Sequence, residues 1–311
     1  MKPKKTRPDN GWLVFIDTNV FLDFYRLPGE SAKRTLASLE KHKDSLILTD
    51  QVWMEFLKNR QKVILQGIKQ IGKPNSTSMP SLLNEFQAGR NFAKAQRGAQ
   101  DKHKKLIEVI EKVLLEPARY DVVFKSLSRI FGSDLTNNLK RPDKRRYEIR
   151  RLARKRFALG YPPRKDDTLR FGDAINWEWI VACAASSESK ENIIVVSRDG
   201  DFGSTHDDET FINDWLRLEF NERTSRRRKI ELTNRLSVAL KRLSVNISKD
   251  DVAAENKIVS ISEMFRSGAN ASFPPGLKLT FRDNSELRLM SDALRAIRKV
   301  SDSDSESKSE T

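Results

Sequence analysis

The stretch Trp12-Leu13-Val14-Phe15-Ile16-Asp17-Thr18-Asn19 decides the fold. Five apolar residues run directly into an acid and two small polar residues, which is typical of a buried strand and the loop at its carboxyl end. A predicted helix over Ser31–Lys43 follows, then a second apolar strand, Leu46-Ile47-Leu48, and a helix that begins near Thr49 or Asp50. This strand–helix–strand–helix order predicts a parallel sheet with right-handed crossovers.

The same alternation returns in the later part of the chain. We predict a helix over Asp173–Ser186, a strand over Ile193–Val196, a helix over Phe211–Phe220, a strand over Lys229–Leu232 and a helix over Asn234–Leu243. Between about Gly72 and Gly160 the sequence is charged and helical, as in Lys104–Leu115 and Arg119–Ile130, and shows no strand pattern. The fold class is therefore α/β, with a central parallel sheet and a large α-helical insertion.

The domain organisation follows from these patterns. Residues 1–11 form a basic arm, 12–71 and 161–247 form the α/β domain, and 72–160 form the insertion. Residues 248–300 form a small C-terminal extension, for which we predict a hairpin of Leu277–Phe281 with Glu286–Met290 and a helix over Ser291–Val300. Residues 301–311 alternate serine with acids, which predicts a disordered acidic tail.

Charge is the first indication of function. The formal net charge is +15, and the segment from Lys140 to Lys165 holds twelve Lys or Arg against two acids. Such an excess favours polyanionic partners, above all nucleic acid, although a solvated basic surface would look similar. We single out Arg150, Arg151, Arg154 and Lys155 as a basic patch whose neutralisation should weaken binding.

Cysteine and histidine usage restricts the chemistry. One cysteine excludes an internal disulfide, and with three histidines it cannot build a zinc site of the ordinary type. A metal site would have to be made of carboxylates, which favours Mg²⁺ or Mn²⁺. No apolar run approaches the roughly 18 residues of a membrane span, and no signal peptide is recognisable, so we expect a cytoplasmic protein without membrane contact.

Four acids lie where a sheet would bring them together. Asp17 and Asp199 each follow a predicted strand, Glu55 lies in the first turns of a helix after a strand, and Asp173 opens a helix after Gly172. Each alone could be a cap, a rim acid or an Asp-Gly turn. Together they should meet at the carboxyl edge of one sheet, where their mutual repulsion calls for a divalent cation. Phosphodiester hydrolysis with one or two metal ions is the chemistry that needs such a site.

At these motifs the chain resembles the PIN-domain nucleases. The matching segments are Val14-Phe15-Ile16-Asp17-Thr18-Asn19-Val20, Glu55, Asp173 and Val196-Ser197-Arg198-Asp199-Gly200-Asp201-Phe202. More narrowly, the chain is similar to a bacterial PIN-like group with a long helical insertion, through Gly160-Tyr161-Pro162-Pro163-Arg164-Lys165-Asp166-Asp167 and the helix from Gly172 through Trp177. The resemblance runs from about residue 12 to 245. The insertion exceeds that of compact PIN toxins, and nothing in them corresponds to residues 248–300.

The resemblance implies a three-layer α/β/α domain that cleaves single-stranded RNA endonucleolytically with Mg²⁺ or Mn²⁺. It implies that Asp17, Glu55, Asp173 and Asp199 are catalytic metal ligands, with Asp201 in reserve. Supporting positions around them are Thr18, Asn19, Ser197, Asn176 and Asp167, and Ser197 stands where the family usually has threonine. Candidate phosphate contacts are Arg156, Arg164, Lys165 and Arg198. Tyr161 could stack on a base, while core packing suits Phe202 better.

Other functions remain open at this stage. A haloacid-dehalogenase-like phosphohydrolase would need a second Asp where Asn19 stands, which makes that alternative poor. A structure-specific DNA nuclease and a catalytically silent nucleic-acid-binding subunit are compatible with the same residues. A toxin, a phage-defence effector and an RNA-processing enzyme would all share this sequence pattern. Family analogy alone suggests an inhibitory protein partner or a homodimer.

Overall fold

The computed structural model describes residues 11–71, 74, 78, 80–163, 171–206 and 209–266. Its strands are β1 (Trp12–Ile16), β2 (Leu46–Thr49), β3 (Asn138–Leu139), β4 (Asn192–Val196), β5 (Gly203–His206), β6 (Glu209–Ile212) and β7 (Ile230–Thr233). Its helices are α1 (Thr18–Leu22), α2 (Gly29–Lys41), α3 (Asp50–Ile71), α4 (Ser81–Asn84), α5 (Gln87–Leu115), α6 (Pro117–Tyr120), α7 (Val122–Gly132), α8 (Arg145–Ala158), α9 (Gly172–Ser186), α10 (Asp214–Arg223), α11 (Leu236–Arg242) and α12 (Lys249–Arg266).

A parallel sheet in the order β3-β2-β1-β4-β7 forms the centre of the molecule. The pairing of β1 with β4 runs in register from Trp12 opposite Asn192 to Ile16 opposite Val196. Every residue of β1, β2 and β4 is buried, because helices pack on both faces of a parallel sheet. The predicted α/β/α architecture with a central parallel sheet is confirmed. β5 and β6 form a separate antiparallel pair.

The prediction that no strand lies between Gly72 and Gly160 is wrong. The short strand β3 pairs with β2, with Leu48 opposite Asn138 and Thr49 opposite Leu139. Two residues are too few to show an alternating pattern, and the strand is held by tertiary contacts: the Asn138 side-chain amide donates to the carbonyls of Phe131 and Ser133, each at 2.8 Å. We therefore propose that the true insertion comprises α4, α5 and α6, and that α7, β3 and α8 belong to the α/β domain.

The region after Gly200 also differs from the prediction. Phe211 and Ile212 lie in β6, where exposed and half-buried residues alternate. The predicted helix starts only at Asp214, because the Asn213 side chain caps it by accepting from the backbone N–H groups of Trp215 (2.9 Å) and Leu216 (3.4 Å).

The C-terminal extension begins with α12, which packs against α2 and α11. The predicted hairpin, the helix over 291–300, the basic arm up to residue 10 and the acidic tail lie outside the described residues. Within the described ranges, no helix combines the length and the apolar character that crossing a membrane requires.

Candidate active site

Asp17 lies at the point where the strand order of the sheet reverses. From β1 the chain moves outward through α1 and α2 to β2, whereas β4 lies on the other side of β1. Asp17 and Ser197 follow the carboxyl ends of these two central strands, and the Asp17 N–H donates to the Val196 carbonyl at 2.9 Å. Such switch points are where open α/β sheets bind their ligands.

Three donors fix the Asp17 carboxylate in one orientation. Oδ2 accepts from the Ser197 hydroxyl at 2.6 Å and from the Asn19 side-chain amide at 2.9 Å. Oδ1 accepts from the Thr18 N–H at 2.6 Å, so Asp17 is also the N-cap of α1. The structure thus joins Asp17 with two of the predicted supporting side chains, Asn19 and Ser197.

Burial raises the pKa of Asp17 to about 6, although the hydrogen bonds from Ser197 and Thr18 pull it in the opposite direction. The negative charges of Asp199 and Glu55 raise the pKa further. Both carboxylates are therefore within electrostatic reach of Asp17. Three of the four acids predicted from sequence form one electrostatically coupled group.

Glu55 reaches this group from the second turn of α3. Its Oε1 accepts from the Gln51 side-chain amide at 2.6 Å, and its Oε2 accepts from the Thr18 hydroxyl at 3.2 Å. Gln51 was not among the residues predicted from sequence. Its position four residues before Glu55 on one helix could have identified it, since residues at that spacing are neighbours.

Asp173 stands in the first turn of α9, half-buried, and the start of this helix lies against Glu55. A Cβ atom on Gly172 would come within 2.6 Å of Glu55 Oε1 and 2.7 Å of Gln51 Nε2. One turn later, the fully buried Asn176 accepts from the Thr49 hydroxyl at 2.7 Å, which ties α9 to the end of β2.

We predict that Gly172→Ala lowers activity while the free energy of unfolding changes little. The new methyl group would push the ends of the Glu55 and Gln51 side chains away, and these ends are flexible enough to move without unfolding α9. We expect roughly a tenfold fall in kcat/KM, about 1.4 kcal/mol. Gly29→Ala, where an added Cβ meets no atom within 4 Å, is the matched control. Equal activity of both variants would contradict this placement of Glu55.

The loop after β4 brings the last acids to the same edge. Ser197 Oγ, which donates to Asp17, accepts from the Asp199 N–H at 3.1 Å, and Asp199 Oδ1 accepts from the Gly200 N–H at 3.0 Å. Asp201 lies in the following 3₁₀ turn, Gly200–Phe202. Phe202 is fully buried against Phe15, with ring centroids 6.1 Å apart, so it is a core residue.

Arg198 faces inward instead of toward a phosphate at the surface. Its guanidinium pairs with Asp23 and lies 3.6 Å from Oε1 of Glu255, and its Nε donates to the Asn234 carbonyl at 3.2 Å. Glu255 belongs to α12 and also accepts from the N–H groups of Leu236 and Ser237, at 2.5 and 3.0 Å. We call this arrangement of Asp23, Arg198 and Glu255 the C-terminal clamp.

Arg156 is also buried and cannot serve as a surface phosphate contact in this structure. Its Nε donates to Glu178 Oε1 at 2.8 Å, and its other nitrogens bind Glu219 and the Pro162 carbonyl. Arg223 completes the network by donating to Glu178 at 2.8 Å and to Glu219 at 2.9 Å. Glu178 is buried as well. Arg164, Lys165, Asp166 and Asp167 lie outside the described residues.

The chemistry of the grouped side chains suits a hard divalent cation. Carboxylate and hydroxyl oxygens are the ligands that Mg²⁺ and Mn²⁺ prefer, and the negative charges around Asp17 would be neutralised by such an ion. In the part of the chain that is described, no three His, Cys, Asp or Glu side chains converge closely enough to form a finished coordination shell. The residues therefore fit the ion by type and charge, and its binding would have to draw them closer.

Comparison with known proteins identifies the family. A family model for the PIN domain matches residues 14–202, more than half of the chain. The matched segment includes Asp17, Glu55, Asp173, Asp199 and Asp201. No curated protein and no solved structure matches the chain. The chain belongs to the PIN-domain family, whose members are generally nucleases.

Proposed function

We propose that the protein is a metal-dependent endoribonuclease that hydrolyses phosphodiester bonds of single-stranded RNA. The observation that carries this proposal is the position of Asp17: a buried carboxylate at the switch point of the sheet, coupled to the charges of Glu55 and Asp199. The preference for RNA over DNA comes from the family resemblance, as does a role as a toxin or phage-defence effector. The cytoplasmic location in this proposal comes from the sequence, in which no signal peptide and no membrane span is recognisable.

In this proposal Asp17, Glu55, Asp173 and Asp199 hold the cation, with Asp201 in reserve. When bound, Mg²⁺ or Mn²⁺ would supply an activated water and neutralise charge on the phosphate. The chain's own contribution is orientation. Hydrogen bonds from Ser197 and Asn19 fix Asp17, and those from Gln51 and Thr18 fix Glu55, so each of these two carboxylates is already oriented when an ion draws them together.

Metal and pH dependence provide the test. We expect cleavage of a labelled single-stranded RNA with Mg²⁺ or Mn²⁺ and none with EDTA. Because the pKa of Asp17 is raised to about 6, a proton competes with the metal below that pH. The metal concentration for half-maximal rate should therefore rise about tenfold per pH unit as the pH falls below 6, and be nearly constant above 7.

The substrate panel separates the alternatives. It comprises single-stranded RNA, a flap DNA and a phosphomonoester, each with either metal and with EDTA. Cleavage that survives EDTA would contradict the metal site, and preferential cleavage of flap DNA would contradict the RNA assignment. No cleavage of any nucleic acid would contradict the nuclease, and binding of RNA without cleavage would favour the silent binding subunit.

A further inference from the structure

A row of arginines follows one side of α8. Arg146, Arg150 and Arg154 recur every four residues, so they are neighbours along one face of the helix, and Arg141 precedes them in the chain. We call these four residues the arginine row. Arg150 experiences the positive charges of Arg146, Arg154 and Arg141, so the other three guanidinium groups are within electrostatic reach of Arg150.

The acids around α8 leave the row with an excess of positive charge. Most of these acids form ion pairs with arginines outside the row: Arg145 pairs with Asp143, Arg151 with Glu148, and the buried Arg156 with Glu178 and Glu219. Within the row, Arg146 pairs with Asp50 at 2.6 Å. For Arg141, Arg150 and Arg154 no ion pair exists among the described residues.

The row is also incompletely hydrogen-bonded. The Nε atoms of Arg146 and Arg150 are buried and have no hydrogen-bond partner within the described ranges. Burial and the neighbouring arginines lower the pKa of Arg150. The row has four guanidinium groups and one paired carboxylate, Asp50, and some of its N–H donors have no acceptor within the described ranges. An anion that carries several charges would stabilise such a surface.

The row begins beside the candidate active site. Asp50, the partner of Arg146, directly follows β2, and its neighbour Gln51 donates to Glu55. The row therefore starts at the same carboxyl edge of the sheet as Asp17 and continues along α8. A polyanion lying on the row would have one end next to the acids.

An exposed aromatic ring accompanies the row. Tyr147 follows Arg146 on α8, and the residue is 81% exposed. Arginines that track phosphates next to an open aromatic face are typical of proteins that bind unpaired nucleic-acid strands, because the ring can stack on a base that is not in a helix.

We propose that the arginine row, with Tyr147, binds the phosphate backbone of single-stranded RNA and leads that strand to the acids at the end of β1. This inference rests on the proposed function and adds the surface that holds the substrate. It revises the basic patch expected from the sequence, because Arg151 of that patch is paired with Glu148 and lies outside the row. The arginines of α8 then form three groups: the row, which faces the strand; Arg145 and Arg151, which are paired with Asp143 and Glu148; and Arg156, which is part of the core.

The test measures binding without cleavage. The full chain is titrated onto a fluorescently labelled single-stranded RNA in EDTA, and anisotropy is followed over a range of salt concentrations. We expect the double variant Arg150→Gln with Arg154→Gln to bind about tenfold more weakly and to lose about 0.7 per arginine from the slope of log affinity against log salt. The matched control is Arg145→Gln with Arg151→Gln, which removes two charges from the same helix at arginines that are paired with Asp143 and Glu148, and which should leave the slope nearly unchanged.

Three results would overturn the inference: equal losses in the row variant and the control, no binding of single-stranded RNA by the wild type, and tighter binding of a duplex than of the single strand. Thermal unfolding of each variant shows whether a loss reflects folding, and Arg150→Lys with Arg154→Lys should recover most of the slope because it restores the charge. Failure of the proposed function is distinguishable, because a chain that binds through the row but cleaves nothing with metal keeps this inference and loses the other.

Discussion

Replacing Asp17 with asparagine is expected to abolish cleavage and, at neutral pH, to stabilise the metal-free protein. Because Asp17 is the central metal ligand of the proposed site, its loss should lower kcat/KM by roughly a thousandfold, or about 4 kcal/mol of transition-state stabilisation. Stability moves the other way, since the substitution removes a buried negative charge that two neighbouring acids repel. We expect a gain of about 1–2 kcal/mol, less than the roughly 3 kcal/mol that a shift of two pKa units represents, because an amide oxygen accepts weaker hydrogen bonds than a carboxylate does.

The pH dependence of that gain follows from the direction of the shift. The pKa of Asp17 is raised in the folded protein from 3.8 to about 6, so its favourable contribution is complete below pH 3.8 and is lost as the pH rises through 6. Urea unfolding in EDTA should show Asp17→Asn to be more stable at pH 7.5 and no more stable than the wild type at pH 3.5. Asp214→Asn, at an exposed acid, is the control. Lower stability at both pH values would contradict the coupled acid group.

Arg156→Ala should destabilise the fold strongly. Arg156 is enclosed with Glu178 and Glu219, and its removal would leave the buried Glu178 carboxylate with only part of its compensation. Breaking a buried pair on one side typically costs about 3–5 kcal/mol. Denaturant unfolding should show this loss, whereas Arg151→Ala, on the solvent side of the same helix, should change stability by less than about 0.5 kcal/mol.

The same variant decides between two roles for Arg156. If Arg156→Ala unfolded like the wild type but bound RNA more weakly, the phosphate contact expected from the sequence would be right and the structural role wrong. Measured below its unfolding transition, the variant should instead keep the salt dependence of RNA binding.

The elements that could be predicted are those whose own residues determine their structure. β1 and β4 are buried on both faces and appear in the sequence as unbroken apolar runs. β3 has only two residues and is fixed by pairing with β2, and the end of β6 looks in sequence like the start of a helix unless the cap at Asn213 is recognised. These elements depend on contacts or caps that periodicity does not report.

The residues of the candidate site also differ in whether their positions could be predicted from the sequence. Asp17, Ser197 and Glu55 could be placed because strand ends and helix starts determine where they lie. The inward roles of Arg156 and Arg198 could not be recognised, because their partners are distant in sequence: Glu219 lies 63 residues from Arg156, and Glu255 lies in α12, beyond the last predicted helix of the domain. The sequence around a basic residue near a motif does not distinguish an arginine that contacts RNA from one that pairs with a buried carboxylate.

The C-terminal clamp shows that the folded domain extends beyond the segment that the family model matches. The matched segment ends at Phe202, yet Arg198 inside it lies 3.6 Å from Oε1 of Glu255 as well as pairing with Asp23, and β4 inside it pairs with β7. A fragment cut after residue 202 would turn a central strand into an open edge and leave a buried guanidinium with one acid fewer. In this protein α12 thus supports the loop after β4: a change at Glu255 would alter the charge balance around Arg198, although the two residues are more than fifty positions apart.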